Sequence, residues 1–493
     1  MKVIKKRIKI LAILVVSIFL MTFSAINMGF TSNKALQISD LTTIGNENQS
    51  VKTSSIKYDW SSIELISAGS SYVSANPKIL ADSSHNLYVV WDDINASDPS
   101  DRDVFFKFWN VTTGNWEDNE TVSKNLDLDS YYPDIAFYLN DLYVVWQDKW
   151  TVKGSEDILY THRIPSGMWV AINNLTKPNP SQIKGYPSIC IGQDLTVHIV
   201  WSEENVTDSD DYDIYYSKDF HTPEKITNNS AYEATNPQII CDSDGNPHII
   251  WQELYYPVSM FSSVKIRHTW YDEGWQNIED ISSTGIDTSC RNPKFANDSS
   301  GNIHAVWHYF LNTLTSMDSY IEYNVWDETT EAWGSPQKIK DLNSTSYIYL
   351  DIAIDSSDNI HIVYDDDPNE LGDRDLFYMN HLSDATSWSL AQYVANGNND
   401  TWKASLTIDS SDRIHIVWAD ESNFNNSGYD KDIFYRGLVL TIEDKGGIPL
   451  FFLPSGEAEQ IPGYNIPLLI GAISVISTII IKKYSKKYLK MKI

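Results

Sequence analysis

Seven times along this chain a short apolar run ends in an aromatic residue, with acids or amides close behind. The aromatics are Trp91, Trp146, Trp201, Trp251, Trp307, Tyr364 and Trp418, separated by 55, 55, 50, 56, 57 and 54 residues. So even a spacing marks a repeat architecture, in which each unit covers the apolar face of the next. Residues 236–251 show the unit in full: a Pro-led apolar run, the turn Asp242-Ser243-Asp244-Gly245-Asn246, then the anchor strand. Related turns stand at 298–302, 355–359 and 409–413. Asp, Ser, Gly and Asn between two β-rich runs are hairpin chemistry, because they tolerate positive φ and bond their own backbone.

Two further strands follow each anchor. Asp103-Val104-Phe105-Phe106, Asp157-Ile158-Leu159-Tyr160, Asp213-Ile214-Tyr215-Tyr216, Asp375-Leu376-Phe377-Tyr378 and Asp432-Ile433-Phe434-Tyr435 open a third strand. Trp116, Trp169, Trp275, Trp333 and Trp388 lead a fourth. Seven units of four antiparallel strands predict an all-β fold, a seven-bladed β-propeller, whose radial repetition leaves only short, protected edges. The last unit lacks a Trp-led fourth strand, and Trp60-Ser61-Ser62-Ile63-Glu64-Leu65-Ile66 supplies one ahead of the first unit. Residues 58–67 are therefore expected to complete the last blade and close the ring. An open solenoid, the alternative, needs polar capping repeats.

The chain ends read differently from the repeats. Residues 1–30 are a signal peptide or N-terminal anchor: Lys2, Lys5, Lys6, Arg7 and Lys9 precede an apolar stretch. Residues 31–57 are a linker, 58–440 the propeller, and 441–460 a second linker. Residues 461–481 form a mostly apolar segment long enough for a transmembrane helix. The lysine-rich tail 482–493 belongs on the cytoplasmic side, which places the propeller outside the cell on a single-pass anchor. The net charge of −29 argues against a nucleic-acid partner, which calls for basic patches.

An outside location suits the Asn-x-Ser/Thr triplets at Asn48, Asn95, Asn110, Asn119, Asn174, Asn205, Asn228, Asn297, Asn343, Asn399 and Asn425. Cys190 follows Pro187 by three residues, and Cys241 follows Pro237 by four. That offset turns the two to opposite faces of their strands. Buried free thiols are the expectation for these two and for Cys290, since no metal or redox spacing exists.

In a propeller the loops after the second strands share a face with the loops that link the blades, and here both sets are long and variable. Loops on a rigid scaffold carry function, so this acidic and aromatic face is the expected ligand surface. Its candidates are Asp93, Arg102, Tyr132, Asp148, Tyr186, Glu203, Tyr232, Glu253, Arg291, Tyr349, Asp366, Trp402 and Asp420. Aromatic faces beside carboxylates suit sugars, which present C–H faces and hydroxyl protons. The bland alternative is a solvated acidic rim with aromatics packed between blades. His198, His248, His304, His361 and His415 sit three residues before their anchors, in different blades, which indicates packing rather than metal ligation. The turn at 242–246 resembles the start of a calcium loop without the distal Glu. No cofactor is read from the sequence, and Ca²⁺ held by the longer acidic loops stays open.

With these motifs in view, the repeats resemble the sialidase/BNR-like β-propeller superfamily, especially repeat proteins on archaeal and bacterial cell surfaces. The resemblance rests on Asp298-Ser299-Ser300-Gly301-Asn302-Ile303-His304-Ala305-Val306-Trp307 and its six relatives, and covers 58–440. It implies a propeller and, among the sialidases, hydrolysis with three arginines, a Tyr/Glu nucleophile pair and an Asp acid. The sialidase Asp box lies between third and fourth strands and ends in Thr-Trp; the turn here lies between first and second strands. Arg102 and Arg374 belong to a repeated Asp-Arg-Asp motif, so no catalytic residue carries across. Ile461-Pro462-Gly463-Tyr464 resembles archaeal sorting tails of the Pro-Gly-Phe type, with Tyr464 in place of Phe.

The expected function is a membrane-anchored extracellular propeller that binds a glycan or protein ligand. A glycoside hydrolase or lyase is the alternative, through two of Asp93, Glu203, Glu253, Asp366 and Asp420 facing each other across a central pocket. A structural envelope protein is the third reading.

Overall fold

The computed structural model describes residues 55–443 other than 68–72, 95–100, 125–128, 139–140, 150–154, 177–181, 206–207, 228–231, 259–260, 286, 313–316, 345–346, 369–372, 398, 423 and 425–429. Every extended element among them is a β-strand, and the sheets repeat one antiparallel pattern. In the first unit Ala75–Ala81, Leu87–Ile94 and Arg102–Asn110 pair in order, with Asn115–Trp116 and Glu120–Thr121 at the outer edge. Units opening at Ser130–Tyr138, Lys184–Ile191 and Leu350–Ile354 follow the same plan with four strands each. Those opening at Glu233–Cys241 and Thr288–Asn297 are separate antiparallel units joined by one parallel bridge, Val264 to Ser289. The final unit runs Thr401–Ile408, Ile414–Asp420 and Asp432–Glu443.

The second strand of each unit is apolar without alternation, because neighbouring sheets cover both its faces. Every residue of Ile360–Asp366 and Ile414–Asp420 is buried, and all seven anchor aromatics are wholly inaccessible. The cores lie between units: Val90, Val104 and Phe106 pack on Ile135, Val144 and Trp146 of the next. Opening strands touch in sequence from Ala75–Ala81 through Ser130–Tyr138, Lys184–Ile191, Glu233–Cys241, Thr288–Asn297, Leu350–Ile354 and Thr401–Ile408, then back to Ala75–Ala81. Four-stranded antiparallel sheets around such a cycle are consistent with a propeller.

The cycle closes through residues from opposite ends of the repeat region. Ser55–Trp60 and Glu64–Leu65 both pair with Asp432–Glu443, and Leu65 lies opposite Phe434. Buried Ser67 donates its hydroxyl to Asp432 at 2.7 Å and accepts the N–H of Ile433 at 3.0 Å. The same key recurs within single units. Thr176 bonds Asp157 and Ile158, and Thr227 bonds Asp213 and Ile214. Ser123 likewise bonds Asp103 and Val104. The Asp that opens each of these third strands is therefore a receptor for a hydroxyl leaving the fourth, and Ser67 supplies it to the last unit.

The cysteine expectation is overturned for two of the three residues and holds for Cys290. Cys190 and Cys241 form a disulfide with Cα atoms 6.2 Å apart, while Cys290 is free and buried. Opposite faces were the correct orientation and free thiols the wrong conclusion. Where sheets stack around a ring, the forward face of one blade meets the backward face of the next. Equivalent strands that turn their cysteines to opposite faces thus aim them into one interface.

The turn histidines are held by hydrogen bonds. Asp298 accepts the N–H groups of Ser300 and Asn302, and Asp355 those of Ser357 and Asn359. His304 and His361 bridge from these carboxylates to the hydroxyls of Tyr323 and Tyr378. Asp242, at the calcium-like turn, spends one oxygen on the N–H groups of Asp244 and Asn246. Among the described residues no helix is long and apolar enough to cross a membrane; the expected signal segment and C-terminal helix lie outside those residues.

Removing the closing hydroxyl leaves Asp432 and the Ile433 N–H without it in a dry site. Ser67→Ala is expected to lower unfolding free energy by about 1–3 kcal/mol. Urea denaturation checks this, and an unchanged midpoint would show that closure rests on the strand pairing alone.

Candidate functional site

Six of the seven opening strands begin with a backbone irregularity, and Leu350–Ile354 pairs without one. Register slips by an extra residue at 75–78, 131–134, 185–188, 235–238, 291–294 and 402–405. A residue in the left-handed region sits in each bulge: Asn76, Tyr132, Tyr186, Asn236, Asn292 and Lys403, with φ between 45° and 55°. Asn tolerates this conformation, whereas Tyr and Lys are strained there. Strain of about 1–3 kcal/mol per residue persists only where the surroundings impose it. The preceding unit does so. The side chain following its anchor accepts the N–H of the left-handed residue: Asp92 from Tyr132, Gln147 from Tyr186 and Gln252 from Asn292. Gly185 leaves room for the Gln147 amide, which a Cβ would strike.

These bulges bring their side chains together around a cavity of about 690 Å³ at the leading ends of the opening strands. Tyr132 and Tyr186 meet with ring centres 4.6 Å apart. Lys403 Nζ lies 4.6 Å from the Tyr132 ring centre, 5.3 Å from that of Tyr349, and 2.5 Å from Asn76 Oδ1. Asn236 donates to Asn292, which donates to the Ile348 carbonyl. Below this ring Lys294 donates to Gln238 at 2.6 Å, and Lys78 lies 3.3 Å from Asp134. A second cavity of about 550 Å³ shares Asn76, Tyr131, Tyr132, Tyr349 and Lys403 with the first and extends to Trp402.

Of the residues expected on this face, Tyr132, Tyr186, Arg291 and Tyr349 line the central cavity, while Arg102 and Trp402 line the second. Arg102 is paired with Asp92 at 2.5 Å, and Trp402 is flanked by Arg374 and Lys431 at 4.3 and 4.0 Å, so its faces are occupied. The carboxylates sit elsewhere. Asp148, Glu203, Glu253 and Asp420 accept the indole N–H of their own anchors, at 3.1 to 3.3 Å. Asp93 accepts from Ser74, and Asp366 from the N–H groups of Asn343 and Ser344. Five of the six are buried and Glu203 is half-buried, and none lines either cavity, so no two of them face each other across it. Tyr232 packs edge-on to Tyr255, also away from the cavity.

The missed residues are Asn76, Lys78, Asn236, Asn292 and Lys294. Their signal is the place before or just after the proline that opens most units, where a bulge turns alternate side chains inward. Burial pushes Lys403 down to about 8, with Asp92 opposing and Lys431 adding to it. Burial likewise holds the Glu156 carboxyl, hydrogen-bonded to Gln147, above the usual range. The lining cations Arg291, Lys294 and Lys403 have no carboxylate within ion-pair distance among the described residues. The expected acidic face is therefore aromatic, amide-rich and cationic where it is concave.

No protein-family model matches the sequence, and neither does any curated protein. Solved structures do match in fold. Polysaccharide lyase Uly1 is 11% identical, with 74% of this chain and 89% of that one covered and a TM-score of 0.50. NanB sialidase from Streptococcus pneumoniae (the K499G mutant) is 10% identical over 83% and 74%, with a TM-score of 0.44. The Penicillium chrysogenum α-L-arabinanase, complexed with arabinobiose, is 13% identical over 63% and 93%, with a TM-score of 0.41. With its antiparallel sheets arranged in a cycle, the chain has an all-β fold consistent with a β-propeller.

One rim residue couples this region to pH. His308, opposite Arg291 in the ladder, is fully buried and bonded to Ser319 and the Ile348 N–H. Burial, with Arg291 adding to it, pushes the imidazole down to about 3. The unfolded chain binds a proton here near 6.5 and the folded chain does not, so stability falls as pH drops below 6.5. By pH 5 the cost is about 2 kcal/mol. Urea midpoints at pH 7.5 and 5.0 should differ less in His308→Gln by this amount; an equal loss in both proteins would refute the assignment.

Proposed function

We propose that the protein is a seven-bladed propeller at the cell surface that binds an acidic saccharide in its central cavity. The observation that carries this reading is the ring of strained residues. One left-handed bulge is repeated from unit to unit, while its side chain changes among Asn, Tyr and Lys. A scaffold that needed only to pack would have no use for strained tyrosines and a lysine aimed into one hollow. Tyrosine faces suit sugar C–H surfaces, asparagines and glutamines suit hydroxyls, and Arg291 with Lys403 suits a carboxylate or sulfate. Repulsion from the net charge of −29 does not decide the matter, because exposed charges are screened within about 8 Å at physiological salt.

The seven-blade count is supported by the cycle of opening strands, and the outside location by the Cys190–Cys241 disulfide, which fits an oxidising compartment. The apolar segment 461–481 with its lysine tail supplies the single-pass anchor. Asn119 and Asn343 are the proposed glycan carriers, being exposed. Asn297 is unsuited, because its amide donates to the Cys241 carbonyl at 2.6 Å.

A second reading, saccharide cleavage, is favoured by Glu156. It lines the cavity with its carboxyl raised by burial, as a general acid requires. On this reading the bound glycan releases reducing ends, and Glu156→Gln abolishes release while binding persists; no release from the wild type ends the idea.

The binding proposal is checked by a glycan array of neutral and acidic saccharides probed with the purified protein. Acidic glycans are expected to bind, with Tyr132→Ala and Tyr186→Ala each weakening the Kd by roughly 3- to 10-fold. A blank array, or binding unaffected by both substitutions, would overturn it.

A further inference from the structure

The floor of the central cavity holds two lysines in unequal surroundings. Lys78 and Lys294 come from opening strands of different units, and both line the cavity. Lys78 has a carboxylate partner, Asp134 at 3.3 Å. Lys294 has none within ion-pair distance among the described residues; it donates instead to the neutral Gln238 carbonyl at 2.6 Å. The groups acting on the pair are Asp134 and Asp351 together with the lysines themselves, and Lys78 is also felt by Lys403. Two adjoining ammonium groups repel, and a single proton between them goes to the amine with the carboxylate. Lys78 is then the one favoured as ammonium, and Lys294 the one favoured as free amine.

We propose that Lys294 is a nucleophilic amine at the cavity floor, which condenses with small aldehydes and ketones, including open-chain reducing sugars, to form an imine. An amine beside a second cationic group in a desolvated pocket is one established way of activating lysine. The charge state agrees with the geometry. Burial, with Lys78 adding to it, pushes Lys294 down to about 7, whereas against the cost of burial Asp134 and Asp351 hold Lys78 above the ordinary lysine value.

In the step itself the Lys294 lone pair attacks the carbonyl carbon, and the C=O π pair moves to oxygen, which takes up a proton. The resulting carbinolamine loses its oxygen as water, carrying off the two hydrogens first held by nitrogen. The C=N bond replaces C=O, and nothing is oxidised or reduced. Lys78 stands where an ammonium can lend the proton to the departing hydroxyl and recover it afterwards. This chemistry goes beyond the saccharide-binding proposal and does not depend on it, since its readout needs no bound glycan.

The test is reductive trapping. The purified full-length protein is treated briefly at pH 7 with glycolaldehyde and cyanoborohydride, which reduces the imine to a stable secondary amine, and labelled lysines are ranked by peptide mass spectrometry. Lys294 is expected to label at least tenfold faster than Lys225 and Lys338. Labelling of Lys294 at or below the rate of those two would overturn the proposal, as would faster labelling of Lys403. Lys78→Met keeps the Lys294 amine and removes its neighbour. Its Lys294 should label several-fold more slowly, because Asp134 and Asp351 then act on Lys294 alone, and an unchanged rate would also count against the assignment.

Discussion

The structure depends on one junction, where a segment from ahead of the repeats becomes part of the sheet behind them. Leu65 opposite Phe434 supplies the backbone pairing, and Ser67 against Asp432 supplies a polar key in a dry site. A ring of stacked sheets has no internal ends, so each core between units is complete only when the last unit is. Ile66 shows the consequence: it is buried in a cluster with Trp91 of the first unit and Val417 and Ile433 of the last. A loose junction would expose apolar surface on both neighbours, and roughly 25 cal/mol per Å² of that surface would be lost. Using the same Asp–hydroxyl key at the junction as inside ordinary units makes the closing blade equivalent to the others.

The second organising fact is how the acidic residues are used. In a chain of net charge −29, acids close to the anchors look like a ligand rim. Several instead accept indole N–H groups, hydroxyls or backbone N–H groups from inside their own units. A buried carboxylate is tolerable only when hydrogen-bonded, and these are bonded to the groups that would otherwise be orphaned beside them. The concave surface is left to the bulged residues, and its character is set by tyrosine, asparagine and lysine. The same economy governs the turn histidines, which connect a turn carboxylate to a tyrosine on the third strand.

Much of the fold was legible in the residues. The anchor period, the Asp-rich turns and the displaced Trp60 segment each report a local requirement: a strand to bury, a hairpin to turn, an edge to cover. The site was only partly legible. Tyr132, Tyr186, Arg291 and Tyr349 were found because aromatic and cationic residues on linking loops are conspicuous. Lys294 and Lys78 were not: each follows the proline that opens its unit, but that place gains meaning only once the bulge there is seen to turn toward the centre. The carboxylates were misplaced for the converse reason. A position two residues past an anchor lies on the anchor's side of the strand, and whether that side is sealed depends on the next sheet. The disulfide belongs here too: the opposed orientations of Cys190 and Cys241 were readable, but their meeting required the face-to-face stacking of neighbouring units.

By itself, then, the order of amino acids determined the unit: its strands, its turns and the missing fourth strand at one end, since these follow from contacts between residues close along the chain. Only the tertiary structure decided which side chains meet at the centre and in what charge state. Left-handed bulges in most units converge on one hollow, where burial pushes the Lys294 amine down while Asp134 and Asp351 hold Lys78 up. Those outcomes depend on groups hundreds of residues apart being brought within a few ångströms, where burial and neighbouring charge, rather than residue type, set the chemistry.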